Sequence, residues 1–153
     1  MRPQTQKGFT ITELLIVLAI LAVIVTIVVS AFSKFNNNQS LDGAIGEVTS
    51  TLNEARANTL ASYDNSAYGV HFQADKIVLF KGSTYSAYDP DNEDVALSSK
   101  ISVSNIALSG GGSDVVFKRL TGKTDQNGVI TLSFISDPTK IKTITIQKSG
   151  IIE

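Results

Sequence analysis

Oxygen ligands concentrate at one place in this chain. In "DPDNED", residues 89–94, Asp89, Asp91 and Asp94 together with Asn92 offer hard oxygens of the kind calcium takes. The run lacks the glycine and the distal glutamate of an EF-hand loop, and a proline among acids reads equally as a solvated turn. Apart from calcium at this loop, no cofactor is expected. His71 is the single histidine and there are no cysteines, so catalytic triads, thiol nucleophiles and histidine- or thiolate-rich zinc sites are excluded by count. In "YGVHF" His71 is expected on the solvent face of a strand. The glycine run "GGGSD" has neither the lysine nor the following helix of a phosphate loop. The chain is therefore not expected to be an enzyme.

Two charge patterns remain. Between residues 118 and 148 lie Lys118, Arg119, Lys123, Lys140, Lys142 and Lys148 against only Asp125 and Asp137. Such an excess is either the solvated face of strands or a nonspecific phosphate contact, so Lys118, Arg119, Lys123, Lys140 and Lys142 are the nucleic-acid candidates. The formal net charge of −1 gives no whole-molecule pull toward a polyanion. The second pattern is a lone acid. Glu13 stands immediately before a run, residues 14–29, in which every residue but Thr26 is apolar.

The elements that must position these residues fall into two classes. Residues 14–33 carry no charge and would form a helix of about 30 Å, the thickness of a bilayer's hydrocarbon core. Arg2 and Lys7 precede it, which favours a cytoplasmic start and an external remainder. Three readings fit: a plain single-pass anchor carrying an extracytoplasmic binding domain, a secretory signal cut near "VSA" at residues 29–31, or a segment in which Glu13 has a purpose. The first two leave Glu13 unexplained, since a carboxylate in hydrocarbon costs about 2.5–3.5 kcal/mol, less at the edge.

Downstream, Leu41, Ile45, Val48, Leu52 and Ala55 form one apolar stripe on an amphipathic helix suited to pack on a sheet. "FNNNQS", residues 35–40, either breaks or softens the helix before it. From "YGVHF" on, the period changes to two. "KIVLF", "KISVSNIAL", "DVVFK", "GVITLSFI" and "KIKTITIQ" alternate with turn-forming segments, predicting six or so short strands. The fold class expected is α+β, a long membrane-to-amphipathic helix packed on a mainly antiparallel sheet. In "KIKTITIQ" the alternation slips near Lys142 and Thr143, which predicts a bulge or a strand start there.

The stretch "KGFTITELLIVLAI" resembles the processing signal of type IV pilins and type II secretion pseudopilins. The resemblance implies cleavage by a prepilin peptidase between Gly8 and Phe9, N-methylation of Phe9, and assembly through Glu13. A free amine on Phe9 of one subunit would then pair with Glu13 of another, because an unpaired charge in a low-dielectric helix bundle is expensive. The segments "LNEARANTLASYDNSAYGVHF", "NGVITLSF" and "ITIQKSGII" look like the GspH/FimT subfamily of minor pilins and pseudopilins, whose chains close on I-x-I-x-x-x-G-x-I. Many major pilins carry a helix-bending proline where this chain has Ser30, and many of the type IVa class carry a carboxy-terminal cysteine pair that is absent here. The first departure favours a straighter helix, as suits some minor subunits, and the second favours a pseudopilin, a minor subunit or an unusual major pilin. Some FimT-type subunits bind DNA through arginines near the carboxy terminus, but here the tail is "SGIIE".

The resemblance implies a leader at 1–8, a transmembrane polymerisation helix at 9–33, an amphipathic continuation at 34–62 and a head at 63–153. It implies a minor pseudopilin of a type II secretion system, with a minor type IV pilin for fibre initiation or DNA uptake as the alternative. The expected partners are other pilin-like subunits, the prepilin peptidase and the inner-membrane assembly platform. The expected location is the inner membrane, then a periplasmic or surface fibre.

Overall fold

The computed structural model describes residues 8–153, and over residues 30–38 its backbone only. All of the expected leader but Gly8 lies outside these residues. The chain forms two compact units, divided between residues 38 and 39. A single helix, α1, is assigned over Ile11–Leu60 and includes the polar stretch at 35–40.

In the first unit, Ile11–Val29 is long and apolar enough to cross a membrane, and none of it is buried within the chain. Leu14, Leu18, Leu21 and Val25 are each half or more exposed. A continuous apolar surface of this size is stable only in lipid or against other helices. The one polar side chain inside the run is satisfied locally, since the Thr26 hydroxyl donates to the Val23 carbonyl at 2.7 Å.

The second unit opens with the rest of α1. Its buried stripe is Leu41, Ala44, Val48, Leu52 and Ala55. Ala44 takes the central place expected for Ile45, which sits at the edge of the core. At the helix end, buried Thr59 donates to the Ala55 carbonyl at 2.8 Å, and accepts from the Tyr68 N–H at 2.9 Å. This hydroxyl ties the helix to the first strand. The turn between them holds Ser62, Asp64 and Asn65 in left-handed conformations. Asp and Asn accept that backbone shape more readily than most residues.

Seven strands follow among the described residues: β1 Tyr68–Phe72, β2 Lys76–Lys81, β3 Glu93–Ala96, β4 Ile101–Leu108, β5 Asp114–Val116, β6 Gly128–Phe134 and β7 Ile141–Ile146. Every pairing is antiparallel. The strands form two sheets rather than one, ordered β3-β2-β1-β5 and β4-β6-β7. One core joins the helix stripe to Val70, Phe72, Ile77, Leu79, Val115 and Phe117 of the first sheet side. From the second sheet come Ile101, Ile130, Leu132, Phe134, Ile144 and Ile146. The architecture is α+β, as the patterning predicts.

Two local expectations are corrected. In "KIKTITIQ" the strand-start alternative holds and the bulge does not: β7 begins at Ile141 and pairs with β6 in unbroken register from Gly128↔Ile146 to Ser133↔Ile141. The slip is resolved by leaving Ile141 on the outer face, 55% exposed, while Ile144 and Ile146 point inward. The bulge lies in β4, between Val103 and Asn105. The acidic run is not a loop throughout, since its last two residues begin β3. Those residues, Glu93 and Asp94, pair with Leu79 and Val78 of β2.

Candidate functional site

The amino-terminal cluster is Gly8, Phe9, Thr10 and Glu13. A Cβ on Gly8 would meet nothing within 4 Å, and its backbone is not in the positive-φ region. Nothing in the fold therefore requires glycine at this position. Phe9 is 86% exposed. Thr10 caps α1: its hydroxyl accepts from the Glu13 N–H at 3.2 Å, and its carbonyl accepts from the Leu14 N–H at 3.2 Å. Thr10–Ile11–Thr12–Glu13 thus has the order of a capping box, with the acid in the first turn where the helix dipole favours negative charge. The Glu13 side chain is exposed. Glu13 thus stands in a capped first turn, one turn beyond an uncovered aromatic residue.

The calcium candidates are not brought together. The Asp89 carboxylate accepts from the Asp91 N–H at 3.0 Å within its own turn. Asp91 faces Lys81 at 3.6 Å and Asp94 pairs with Lys76 at 2.6 Å. The Asn92 amide donates to the Ser86 carbonyl at 2.7 Å. Three carboxylates turned to three different partners do not form a coordination shell, and no group of three acidic or histidine ligands occurs among the described residues.

The basic candidates fall in two groups: Lys118, Arg119 and Lys123 share one turn, in which the Lys118 N–H donates to the Lys123 carbonyl at 2.7 Å, and Lys140 and Lys142 lie at the start of β7. Lys118 pairs with Asp125 at 2.7 Å, Lys140 with Asp137 at 3.5 Å, and Lys142 with Asp42. Arg119 donates to the Asn65 side chain. Lys123 is exposed beside Gly122. The Lys118 ammonium holds the Asp125 carboxyl below its ordinary range. A hydrogen bond from the Thr139 hydroxyl does the same for Asp137.

His71 is not the free solvent-facing residue expected from its strand position. Its ring stacks on Tyr85 with centroids 3.9 Å apart and 5° between planes. Its Nδ1 lies 2.5 Å from an Asp114 carboxylate oxygen, joining β1 to β5. Phe80 meets the same tyrosine edge-on at 5.6 Å. Gly69 opposite Phe80 makes this possible, since a Cβ there would fall 2.6 Å from the Phe80 ring. This aromatic layer covers the outer face of the first sheet. Sequence alternation placed His71 on that face correctly but carried no sign of Tyr85, which arrives from a loop.

A groove of about 410 Å³ lies beside the helix end, lined by residues that include Glu54, Asp64, Asp91, Glu93, Lys81 and Tyr68. Burial, then the nearby Asp64 charge, raise the Tyr68 hydroxyl above its usual pKa. A hydrogen bond to Asp64 raises Lys81 in the same way.

Arg56 and Gly150, two residues of the subfamily-like segments, meet in the fold. The Arg56 Nε–H donates to the Gly122 carbonyl at 3.3 Å. Gly150 adopts φ +81°, and a Cβ there would lie 1.8 Å from the Gly122 oxygen and 3.0 Å from Arg56 Nε. The closing glycine is the residue that lets the chain end pass over this crossing.

A model of the prokaryotic N-terminal methylation motif matches residues 3–29. The fold is similar to that of the type IV minor pilin FimU of Pseudomonas aeruginosa, at a TM-score of 0.57 and 12% identity, covering 74% of this chain and 90% of that one. It is similar to that of the minor pseudopilin EpsH of the type II secretion system of Vibrio cholerae, at a TM-score of 0.56 and 11% identity, covering 74% and 94%. No curated protein matches the chain in sequence. The chain carries the methylation motif on a pilin-like fold.

Proposed function

We propose that this pilin-like chain is a minor subunit of a fibre built from membrane-anchored precursors, and within that class a minor pseudopilin of a type II secretion system. The observation that supports it best is the helix Ile11–Val29, apolar and wholly uncovered, with one acid in its capped first turn. Such a helix needs lipid at one stage and other helices at another. A prepilin peptidase cuts between Gly8 and Phe9, and the new terminus is then N-methylated. The assembly platform then moves the subunit from the inner membrane into the fibre, where Glu13 accepts the Phe9 amine of a neighbouring subunit. The low dielectric of the bundle makes an unpaired Glu13 costly, so pairing selects one axial register. No chemistry is assigned to the head, which sets position in the fibre and partner contacts.

A minor type IV pilin is the second reading, supported by the equal likeness to a minor pilin. Secretion is preferred because three of the basic candidates for nucleic-acid contact, Lys118, Lys140 and Lys142, are paired with acids within the head. Deleting the gene separates the two. Exported proteins retained inside the cell, with surface fibres and DNA uptake intact, support the secretion reading. Loss of fibres or of uptake with normal secretion moves the chain to the pilus class.

A further inference from the structure

Two isoleucines stand uncovered at one end of the head. Ile135 is 62% and Ile141 55% exposed, on either side of the turn that joins β6 to β7. Ile141 pairs with Ser133 on the outer face of the sheet, and Ile135 stands exposed just past the end of β6, two residues after Ser133. The end they occupy is fixed by contacts along α1. Lys142 pairs with Asp42, whereas Gly150 lies against Arg56. β7 therefore starts beside residue 42, and the chain that follows it passes residue 56 at Gly150. The turn at 135–141 lies where the chain enters the head. Lys100 belongs to the same end, its carbonyl accepting from the Ile135 N–H at 2.9 Å.

The entering chain is not neutral about its surroundings. Val29, the last residue of the apolar span, precedes Gln39, the first of the head, by ten residues. Ten residues reach about 15 Å as helix and at most about 35 Å fully extended. A tether of that length keeps the head's entry end at high effective concentration near a bilayer, so a contact too weak to bind a free protein is populated.

We propose that the 135–141 turn is a lipid contact. Ile135 and Ile141 enter the boundary between headgroups and acyl chains, and Lys100 and Lys140 lay their stems along it with their ammonium groups among the phosphates. This rests on the membrane-anchored reading above. Lys140 and Lys142 are already paired with Asp137 and Asp42, so the contact follows apolar burial and persists in zwitterionic lipid and at high salt. It would hold the head on the membrane until assembly withdraws helix and head together.

The chain has no tryptophan, so each one introduced is the sole reporter. Full-length Ile135→Trp, Ile141→Trp, Leu18→Trp and Tyr88→Trp are reconstituted in phosphatidylcholine vesicles, with and without lipid brominated near the headgroup end of the acyl chain. Tyr88 is 98% exposed in a loop whose Asp91 faces Lys81, itself paired with Asp64 just past the helix end, away from the entry. The proposal predicts blue-shifted, bromine-quenched emission for Ile135→Trp and water-like, unquenched emission for Tyr88→Trp. Ile141→Trp serves if Ile135→Trp lowers the melting temperature. Emission from both turn variants matching that of Tyr88→Trp, with blue-shifted emission from Leu18→Trp, overturns the lipid contact alone. Water-like emission from Leu18→Trp overturns the membrane reading itself. A blue shift at the turn that resists bromine and grows with protein-to-lipid ratio assigns the surface to a second copy of the chain, and overturns the lipid contact.

Discussion

Glu13 is the only charged side chain between residues 8 and 33, and two demands meet on it. The capped first turn favours an acid there, while hydrocarbon next to it opposes one. Glu13→Ala removes the opposition and the assembly partner together. It should be processed normally yet be missing from sheared fibres by immunoblot; incorporation at the wild-type level would refute the pairing role. Gly150 makes a different prediction. Alanine there requires a strained φ and a Cβ inside contact distance of the Gly122 carbonyl. The variant should lose about 2–4 kcal/mol in denaturant unfolding of the head. The methylation motif was legible in the sequence because it is one short linear segment. The Arg56–Gly122–Gly150 crossing was not, because its parts are far apart in the chain and meet only on folding. The acidic run misled for a related reason: alternation along a turn and a strand sends neighbouring carboxylates to different lysines.

Among the elements, the two parts of α1 obey different rules. Within the head, Leu52 is fully buried, and Leu52→Ala should cost about 2–5 kcal/mol through lost burial and the cavity left behind. Leu18→Ala, on the uncovered span, should leave head unfolding unchanged; equal losses for the two would contradict the division into units. The core lies wholly within residues 41–152, so Leu52→Ala can be measured in the segment 39–153, whereas Leu18→Ala is read as unfolding of the head in the full-length chain. Charge pairs at the strand ends set its pH response. Asp125 and Asp137 are depressed in the fold, so their stabilisation is present above the ordinary carboxylate pKa of about 3.9 and lost as pH falls through the lowered values. Lys76 and Lys81 are raised, so theirs is present below about 10.4 and lost as pH rises through the folded values. Melting temperature should be flat between about pH 5 and 10 and fall modestly on each side, because all four groups are at least partly exposed to solvent. Period-two patterning found six of the strands. It missed β3, whose leading Glu93 and Asp94 hide a short edge strand, and it could not foresee two sheets, since strand pairing is set by the core rather than by any one segment.

For the molecule as a whole, two surfaces divide the work. The span Ile11–Val29 has no interior of its own and is completed only by lipid or by other helices. The head is complete in itself, with its one core closed by α1 and both sheets. On the proposed reading, a chain built this way is stored in a membrane and withdrawn into a fibre without refolding, once its amino terminus is released. The measurement that tests this most directly is the mass of the native protein from cells with an active prepilin peptidase. The account predicts a chain that begins at Phe9 and carries one N-methyl group. A chain that still begins at Met1 in those cells would contradict it.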